Sequence, residues 1–241
     1  IMYLHEALHQ PDRAEFIKAM KAEVSSHTDR GHWRIVPRNS VPEGIDILPS
    51  IWAMRRKRRI KTREVYKWKA RLNLHGGKQK HGVNYWETYA PVVTWSAIRL
   101  VLVLSIMFKW HTRQIGFVLA YPQANIECDM YMQLPQGFEL ADGLQSKDYC
   151  LQILKNIYGQ KQAGRVWNQY LHKGLIEMGF VQSEVDHCVY FKGLTVFLLY
   201  VDDGILAGPS ALEIQEIIEE LDKLFDMTDE GDITDLSLTH I

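Results

Sequence analysis

The sequence is poor in the features that build disulfide frameworks and membrane spans. Its 241 residues include only three cysteines. Because Cys128, Cys150 and Cys188 stand apart and are odd in number, they form neither a disulfide framework nor a CxxC metal site, and a reducing compartment is expected. The most apolar stretch, residues 97–108, is far shorter than the roughly 20 residues of a membrane-spanning helix. It contains Arg99, so we predict a buried helix and no membrane partner.

Net charge is also nearly absent, because 28 Lys and Arg face 29 Asp and Glu. This balance conceals a strong sorting of charge along the chain. Ten basic residues and one acid lie between Arg55 and Arg71, which gives this segment a net charge of +9. Ten acids and one base lie between Ala211 and Asp235, a net charge of −9. With 46% hydrophobic residues the chain has ample material for a core, which excludes disorder as its main state.

Two interpretations of the basic segment remain open from the sequence. Its charges could simply cover the solvated face of one helix or hairpin. Alternatively, Trp52, Tyr66 and Trp68 anchor a hairpin, since residues 64–74 alternate loosely between apolar and polar as an exposed strand does. Lysines and arginines on such a hairpin suit a surface that contacts phosphates.

Periodicity predicts a chain in which helices and strands mix without a regular βαβ rhythm. Helices are expected over 12–26, 96–110 with Ser96 as its N-cap, 162–178 and 210–225, and strands over 114–119, 130–134, 188–192, 195–200 and 205–207. No internal repeat is visible. This mixture favours an α+β fold.

The strongest chemical signal is the pair Asp202 and Asp203, on a predicted turn between two hydrophobic strands within 198–206. Two adjacent carboxylates repel each other unless a cation is present. Mg²⁺ takes one or two carboxylates together with substrate phosphates, which favours a phosphoryl or nucleotidyl transfer site. An ordinary hairpin turn, where Asp and Gly are favoured by backbone geometry alone, explains these residues equally well at this point.

Several separate, ordered blocks resemble the reverse transcriptase domain of copia-type retrotransposons. Tyr200-Val201-Asp202-Asp203 is similar to the catalytic signature of reverse transcriptases. The blocks similar to the copia branch are KARL at 69–72, GVNYWETYAPV at 82–92, YMQLPQGF at 131–138 and LKNIYGQKQAGRVW at 154–167. The similarity extends over essentially the whole chain.

The resemblance implies an α+β fold of fingers and palm, with an antiparallel palm sheet packed by helices, in a single domain over 1–241. Fingers are expected at about 30–110 plus part of 122–165, and palm at about 111–121 and 166–241, without thumb, connection or RNase H. Such a domain copies an RNA or DNA template with its primer from deoxynucleoside triphosphates. The resemblance also implies a Pol polyprotein with integrase and RNase H segments, in the cytoplasm or in virus-like particles.

Residue by residue, the resemblance makes Asp202 and Asp203 the catalytic carboxylates that bind Mg²⁺, with Mn²⁺ as an alternative. The residues implied to bind the nucleotide are Lys69 and Arg71 at the triphosphate, Tyr121 as the gate against ribonucleotides, and Gln162 near the templating pair. Trp167 and Tyr170 are assigned to core packing.

The family pattern breaks at Gly116. Two-metal transfer needs a third carboxylate, which family members carry as Asp in the segment aligned with 114–121. No Asp or Glu lies between Glu87 and Glu127, so we expect no neighbour to substitute for it. Polymerisation by this copy is therefore predicted to be severely impaired. A second departure is the absence of the family's Leu-Gly within 235–241.

Three functions thus remain open. The first is a copia-type reverse transcriptase domain impaired by Gly116. The second is a catalytically dead nucleic-acid-binding remnant of a decayed element, which keeps the basic segment 55–71. The third is a generic Mg²⁺ phosphohydrolase that uses Asp202 and Asp203, and it explains none of the other blocks.

Overall fold

The computed structural model describes residues 1–59 and 61–233, so the departure predicted within 235–241 lies outside the described residues. The helices are α1 (Leu4–Leu8), α2 (Arg13–Asp29), α3 (Trp95–Phe108), α4 (Ala120–Gln123), α5 (Ala163–Glu177) and α6 (Ala211–Leu224). The strands are β1 (Met2–Tyr3), β2 (Trp33–Pro37), β3 (Ile47–Leu48), β4 (Ser50–Arg58), β5 (Val65–Leu74), β6 (His111–Phe117), β7 (Asn125–Gln133), β8 (Tyr149–Lys155), β9 (Val181–Gln182), β10 (Val189–Lys192), β11 (Thr195–Tyr200), β12 (Asp203–Gly208) and β13 (Met227–Gly231). Within these ranges, none of the helices combines the length and apolar character that crossing a membrane requires.

The predicted mixture of helices and antiparallel sheets is confirmed, and capping side chains mark the beginnings of α3 and α6. Ser210 begins α6 as predicted, since its hydroxyl accepts a hydrogen bond from the Glu213 N–H at 3.2 Å. The prediction that Ser96 caps α3 is wrong. Thr94 is the cap, because its Oγ1 accepts from the Ala97 N–H at 3.2 Å.

Unit 1 comprises residues 1–88 and 124–163. It contains a three-stranded sheet in the order β1-β4-β5 and a four-stranded sheet in the order β2-β8-β7-β3, in which β3 pairs parallel with β7. Helix α2 packs against β5, because Phe16 and Met20 lie four residues apart on one helical face and are buried with Leu72.

Unit 2 comprises residues 89–123 and 164–241. Its core is a six-stranded antiparallel sheet in the order β13-β6-β12-β11-β10-β9. Helices α5 and α6 bury apolar faces in the same core, through residues such as Trp167, Leu171 and Ile214. The carboxylate-bearing turn predicted from the sequence lies between two central strands of this sheet.

The two units have their own boundaries, and the ranges expected for fingers and palm stay a prediction. Helix α3 lies within the expected fingers range of about 30–110 but belongs to unit 2, because Ile98 and Val101 are buried with Ile115 of β6. The prediction that α3 is a buried helix holds for the face that carries Ile98 and Val101 and is wrong for the opposite face, which is exposed. The exposed apolar residues of that face and of the helix end are Leu100, Val103, Ile106, Met107 and Phe108.

Candidate active site and basic hairpin

Strands β11 and β12 form the hairpin that the sequence predicts around the two carboxylates. Tyr200 pairs with Asp203, so Val201 and Asp202 form a two-residue turn. The residue after Asp203 must be glycine, because a Cβ on Gly204 would lie 2.5 Å from the Phe197 ring. The carboxylates therefore stand at the end of a hairpin whose backbone is closely packed from its first pair onward.

Val201 adopts a backbone conformation that a β-branched residue rarely takes, with φ at +55°. Left-handed backbone costs about 1–2 kcal/mol for an L-residue. The carbonyl of Val201 accepts a hydrogen bond of 2.7 Å from the indole N–H of Trp167, which is 1% exposed. The strained turn is thus tied to the core of unit 2 beside the two carboxylates.

Trp167 packs in the core as predicted, but the hydrogen bond to the turn was missed by sequence reasoning. Its ring meets Phe117 and Phe225 edge to face, with ring centroids 5.2 and 6.1 Å away. A usable signal was present, because a buried tryptophan needs an acceptor for its N–H. Which carbonyl would provide it depends on the packing of α5 against the sheet.

Gly116 lies directly beside the carboxylate pair. In the register of β6 with β12 it is opposite Asp203, and the next residue, Phe117, donates its N–H to the Asp202 carbonyl at 2.7 Å. On its other side Gly116 pairs with Thr228 of β13. An aspartate at position 116 would therefore project from the same sheet face as Asp203.

The surroundings of Gly116 contain an acid from a distant part of the chain, while the prediction that no neighbour substitutes for the missing carboxylate stays a prediction. A Cβ placed on Gly116 would lie 3.1 Å from Oε1 of Glu230 and 3.4 Å from the Thr228 hydroxyl. That prediction rests on the absence of Asp and Glu between Glu87 and Glu127. Glu230 is far away along the chain, and pairing of β13 with β6 brings it to this position.

The basic segment forms an antiparallel hairpin of β4 and β5, which excludes the single-helix interpretation. Trp52 and Met54 point to the core, and the strand alternation places the intervening side chains on the opposite face. On that face Arg55 is opposite Lys69 and Lys57 is opposite Lys67. Like charges directly opposite each other destabilise a sheet, so bound phosphates would relieve this repulsion.

Arg71 extends the row of cations towards the end of β5. It pairs with Ala53 across the hairpin and therefore shares the face of Lys69. Its guanidinium lies 3.8 Å from the centroid of the Tyr158 ring, a cation–π contact that orients the side chain. We refer to Arg55, Lys57, Lys67, Lys69 and Arg71 together as the basic face.

Arg56 belongs to the same charged run but has a structural role. On the core side of the hairpin it forms a two-point contact with Asp12, with distances of 2.7 Å from Nε to Oδ2 and 2.6 Å from Nη2 to Oδ1. The Trp68 indole N–H also donates to Asp12 at 2.5 Å. The hydrogen bond from Arg56 holds the pKa of Asp12 well below its usual range, and the pair fixes the start of α2 to the hairpin.

Comparison with known proteins decides the family. Residues 31–238 match the family model described as reverse transcriptase (RNA-dependent DNA polymerase). The chain belongs to this family.

The curated relatives of this reverse transcriptase chain are transposon polyproteins. It is 31% identical over 233 residues to the retrovirus-related Pol polyprotein from transposon TNT 1-94 of Nicotiana tabacum, covering 95% of this chain and 17% of the relative. It is 29% identical over 220 residues to the retrovirus-related Pol polyprotein from transposon RE2 of Arabidopsis thaliana, covering 90% of this chain and 15% of the relative. It is 26% identical over 131 residues to the transposon Ty1-BL Gag-Pol polyprotein of Saccharomyces cerevisiae, covering 54% of this chain and 7% of the relative.

The chain thus spans 17% and 15% of the lengths of the first two of these relatives, about one sixth. The resemblance to copia-type sequences is confirmed.

A reverse transcriptase implies a divalent metal, and the donor set meets this demand only in part. Asp202 and Asp203 are half-buried, adjacent carboxylates, which suits one Mg²⁺ with its preference for one or two carboxylates and open positions for water or phosphate. In the part of the chain that the structure describes, no three His, Cys, Asp or Glu side chains converge on one point. The residues therefore fit a single ion at the pair and do not fit a completed two-metal site.

The structure divides the predicted site residues between the two units. Lys69, Arg71 and Gln162 belong to unit 1, whereas Tyr121, Asp202 and Asp203 belong to unit 2. Tyr121 lies in α4, half-buried against the core of unit 2, with its hydroxyl 3.7 Å from the position of a Cβ on Gly164. Its contact with a sugar stays a prediction.

Gln162 is almost fully buried, and both ends of its amide are engaged within unit 1. Its Oε1 accepts from the Gln79 side-chain amide at 3.0 Å, and its Nε2 donates to the Asn84 carbonyl at 3.2 Å. The Gln79 Oε1 accepts in turn from the Lys161 N–H at 2.8 Å. These bonds join the 82–92 and 154–167 blocks, while a contact with the templating pair stays a prediction.

Gly159, in the 154–167 block, occupies a position where the backbone conformation and a close neighbour both require glycine. Gly159 has φ at +89°, and a Cβ on it would lie 2.1 Å from the Leu74 carbonyl oxygen. The backbone carbonyl of the preceding residue, Tyr158, accepts a hydrogen bond from the Leu74 N–H at 2.9 Å, and the Tyr158 ring lies against Arg71. This backbone contact fixes the end of β5 and thereby one end of the basic face, a role that sequence reasoning did not foresee.

Proposed function

We propose that this chain is the fingers-and-palm portion of an RNA-directed DNA polymerase, with unit 1 as fingers and unit 2 as palm. Asp202 and Asp203 are the metal-binding carboxylates, and the copy is impaired because Gly116 lacks the third. The observation that carries the proposal is the register of the palm sheet, since Gly116 is paired directly with Asp203. Family membership and the ordered sequence blocks support the same assignment.

The roles of the chain's own groups follow from this arrangement. A divalent ion at the carboxylate pair would polarise a phosphoryl oxygen and stabilise developing negative charge. Lys69 and Arg71 bind the triphosphate electrostatically, and Tyr158 holds the Arg71 guanidinium in place. Trp167 fixes the turn that presents Asp202 and Asp203. Loss of the third carboxylate loosens the alignment of the reacting groups, and misplacement of this kind reduces rates by about 100-fold.

Primer extension on a homopolymer RNA template, with Mg²⁺ and with Mn²⁺, tests the proposal. The unchanged chain should extend weakly, Asp203→Asn should not extend, and Gly116→Asp should extend faster than the unchanged chain. Equal and robust extension by the unchanged chain and Gly116→Asp would refute the impairment. Extension by Asp203→Asn at the unchanged rate would refute the assignment of the carboxylates.

The basic face favours a second candidate, a nucleic-acid-binding remnant without chemistry. Its five cations lie on one side of one hairpin and include two directly opposed like-charge pairs. Binding to a primer–template duplex should therefore weaken steeply with salt. Lys57→Ala should lower the slope of log affinity against log salt by about 1, whereas the exposed α2 control Lys18→Ala should leave it unchanged. A flat salt response would refute this role.

Only the carboxylate pair supports a generic Mg²⁺ phosphohydrolase, which accounts for neither the family match nor the basic face. We also propose that the domain works within a Pol polyprotein beside integrase and RNase H segments, in the cytoplasm or in virus-like particles. The support is that the relatives are Pol polyproteins several times longer than this chain. Immunoprecipitation of the native protein followed by mass spectrometry tests this, and recovery of this segment alone from sedimented particles and cytosol would contradict it.

A further inference from the structure

The position of a side chain at residue 116 borders directly on a carboxylate. Oε1 of Glu230 lies 3.1 Å from the position of a Cβ on Gly116, and its Cδ lies 3.7 Å away. The contact belongs entirely to unit 2 and links β13 to β6. At the residue where the reverse transcriptase pattern loses an acid, a different acid from another strand is present.

A bulge in the edge strand explains how Glu230 reaches this position. Thr228 pairs with Gly116 and Asp229 with Ile115, and the register then shifts so that Gly231 pairs with Gln114. Glu230 is therefore the extra residue, without a partner in the ladder of β6. Bulges bend the strand and re-aim side chains, and they are common beside active sites.

The closeness of its carboxylate to the position of a Cβ on Gly116 places Glu230 on the sheet face of Asp203. Asp203, Gly116 and Thr228 lie in one row across β12, β6 and β13, and residues directly opposite one another share a face. Neighbouring strands are about 4.8 Å apart. A carboxylate in the space of residue 116 is thus one strand spacing from the strand that carries Asp203, on the same face.

Asp229 and Asp232, the acids nearest to Glu230 in the chain, pair with Arg113, whereas the part of the chain that the structure describes shows no ion pair of Glu230. Arg113 contacts Asp229 at 2.5 Å and Asp232 at 3.6 Å. Within residues 1–59 and 61–233 no basic side chain pairs with Glu230. Its carboxylate lies beside the position of a Cβ on Gly116, on the sheet face that Asp203 shares.

We propose that Glu230 provides from β13 the third carboxylate that Gly116 lacks, and that the residual metal binding of this copy depends on it. This inference rests on the proposed function, because it takes Asp202 and Asp203 as the metal-binding pair. Carboxylate oxygens are the ligands that Mg²⁺ and Mn²⁺ prefer. The three carboxylates do not converge as described, so Glu230 must turn about its side-chain bonds, which its exposed position on an edge strand permits.

The inference predicts that one substitution acts in opposite directions in two backgrounds. In the unchanged chain, Glu230→Gln removes the substitute and should weaken Mn²⁺ binding by about 10-fold or more. In Gly116→Asp, the new side chain and Glu230 compete for one space with like charges, so adding Glu230→Gln should strengthen Mn²⁺ binding. Such a reversal is a direct coupling between positions 116 and 230, which a double-mutant cycle measures.

Mn²⁺ titration followed by electron paramagnetic resonance provides the readout without requiring polymerisation. The proteins are the unchanged chain, Glu230→Gln, Gly116→Asp, the double variant and Asp203→Asn, with Glu216→Gln on the exposed face of α6 as a charge-matched control. The control should bind Mn²⁺ like the unchanged chain. Tight binding by the double variant shows that weak binding by Glu230→Gln does not result from misfolding.

The outcomes separate this inference from the proposed function. If Asp203→Asn binds Mn²⁺ like the unchanged chain, or if the unchanged chain binds none, the carboxylate pair is not the metal site and both proposals fail. If Asp203→Asn loses binding while Glu230→Gln retains it, only the role of Glu230 is refuted. If Glu230→Gln weakens Mn²⁺ binding both in the unchanged chain and in Gly116→Asp, the predicted reversal is absent. The claim that Glu230 and a side chain at position 116 compete for the same space would then be refuted.

Discussion

Two hairpins of this chain gather like charges, and each is stabilised in a different way. In unit 1, the β4–β5 hairpin spreads five cations along one face at intervals of two residues, while Arg56 on the other side is anchored by Asp12. In unit 2, the β11–β12 hairpin concentrates two carboxylates at a turn whose Val201 is strained. The first hairpin is suited to a series of phosphates, and the second to a point charge.

The two hairpins differ in which part of their backbone the surrounding structure holds in place. The basic face depends on an ordered backbone at the end of β5, which the close approach of Gly159 fixes. The acidic turn is held by hydrogen bonds to its two carbonyls, one from the buried Trp167 indole to Val201 and one from the Phe117 N–H to Asp202. A distributed charged surface tolerates solvated side chains, whereas a focused site needs its backbone held by the core.

The largest effect should come from breaking the support of the basic face. Gly159→Ala places a Cβ 2.1 Å from the Leu74 oxygen at a φ of +89°, and we expect a loss of about 3 kcal/mol or more in the free energy of unfolding. Gly143→Ala is the matched control, since its φ is +86° with nothing within 4 Å. It should cost about 1 kcal/mol. Urea unfolding measures both, and equal losses would contradict a role for the contact.

Removing the support of the acidic turn should have an intermediate effect. Trp167→Phe keeps an aromatic ring but leaves the Val201 carbonyl without its donor, and we expect a loss of about 2 kcal/mol. Trp110→Phe, where the described residues show no hydrogen bond from the indole, should cost less. If Val201→Gly relieves the strain, it should reduce the penalty of Trp167→Phe. An additive double variant in thermal unfolding would show that the two residues are not coupled.

The smallest effect should be the acid sensitivity of the anchor on the other side of the β4–β5 hairpin. The pKa of Asp12 is lowered in the folded chain by the hydrogen bond from Arg56, so its contribution to stability is complete above the unfolded pKa of about 3.9. It is lost as the pH falls further, because the unfolded chain then binds the proton more readily.

Unfolding of the unchanged chain and of Asp12→Asn between pH 7 and pH 2 tests this expectation. His32 also titrates here, since burial lowers its pKa to about 4, so the difference between the two proteins is the relevant quantity. That difference should shrink below about pH 4. Asp46→Asn, which removes an exposed pair with Lys80, is the control. A difference that stays constant with pH would contradict the Asp12 assignment.

Much of the fold was predictable because its signals are local. The hydrophobic periods located α2, α5 and α6 to within a few residues, and Ser210 marked the beginning of α6. The prediction that α3 is buried failed, since an apolar composition does not reveal that one face stays exposed. The packing of α3 in unit 2 was equally hidden, because most of its core partners are distant in the chain.

The site was predictable only as a set of residue types. Asp202-Asp203 between two apolar strands is a local pattern, and the structure contains that hairpin. The hydrogen bond of Trp167 to Val201 and the role of Gly159 required contacts between segments far apart in the chain. Gln162 illustrates the converse, since a motif residue turned out to have both ends of its amide engaged inside unit 1.

The sequence by itself determined the family, the opposite charges of segments 55–71 and 211–235, and the absence of any acid between Glu87 and Glu127. These follow from residue identity and order, which need no coordinates. Only the tertiary structure decided that five cations share one face and that Glu230 lies beside Gly116. Strand register sets both facts, and register depends on pairing between distant segments and on a single bulged residue in β13.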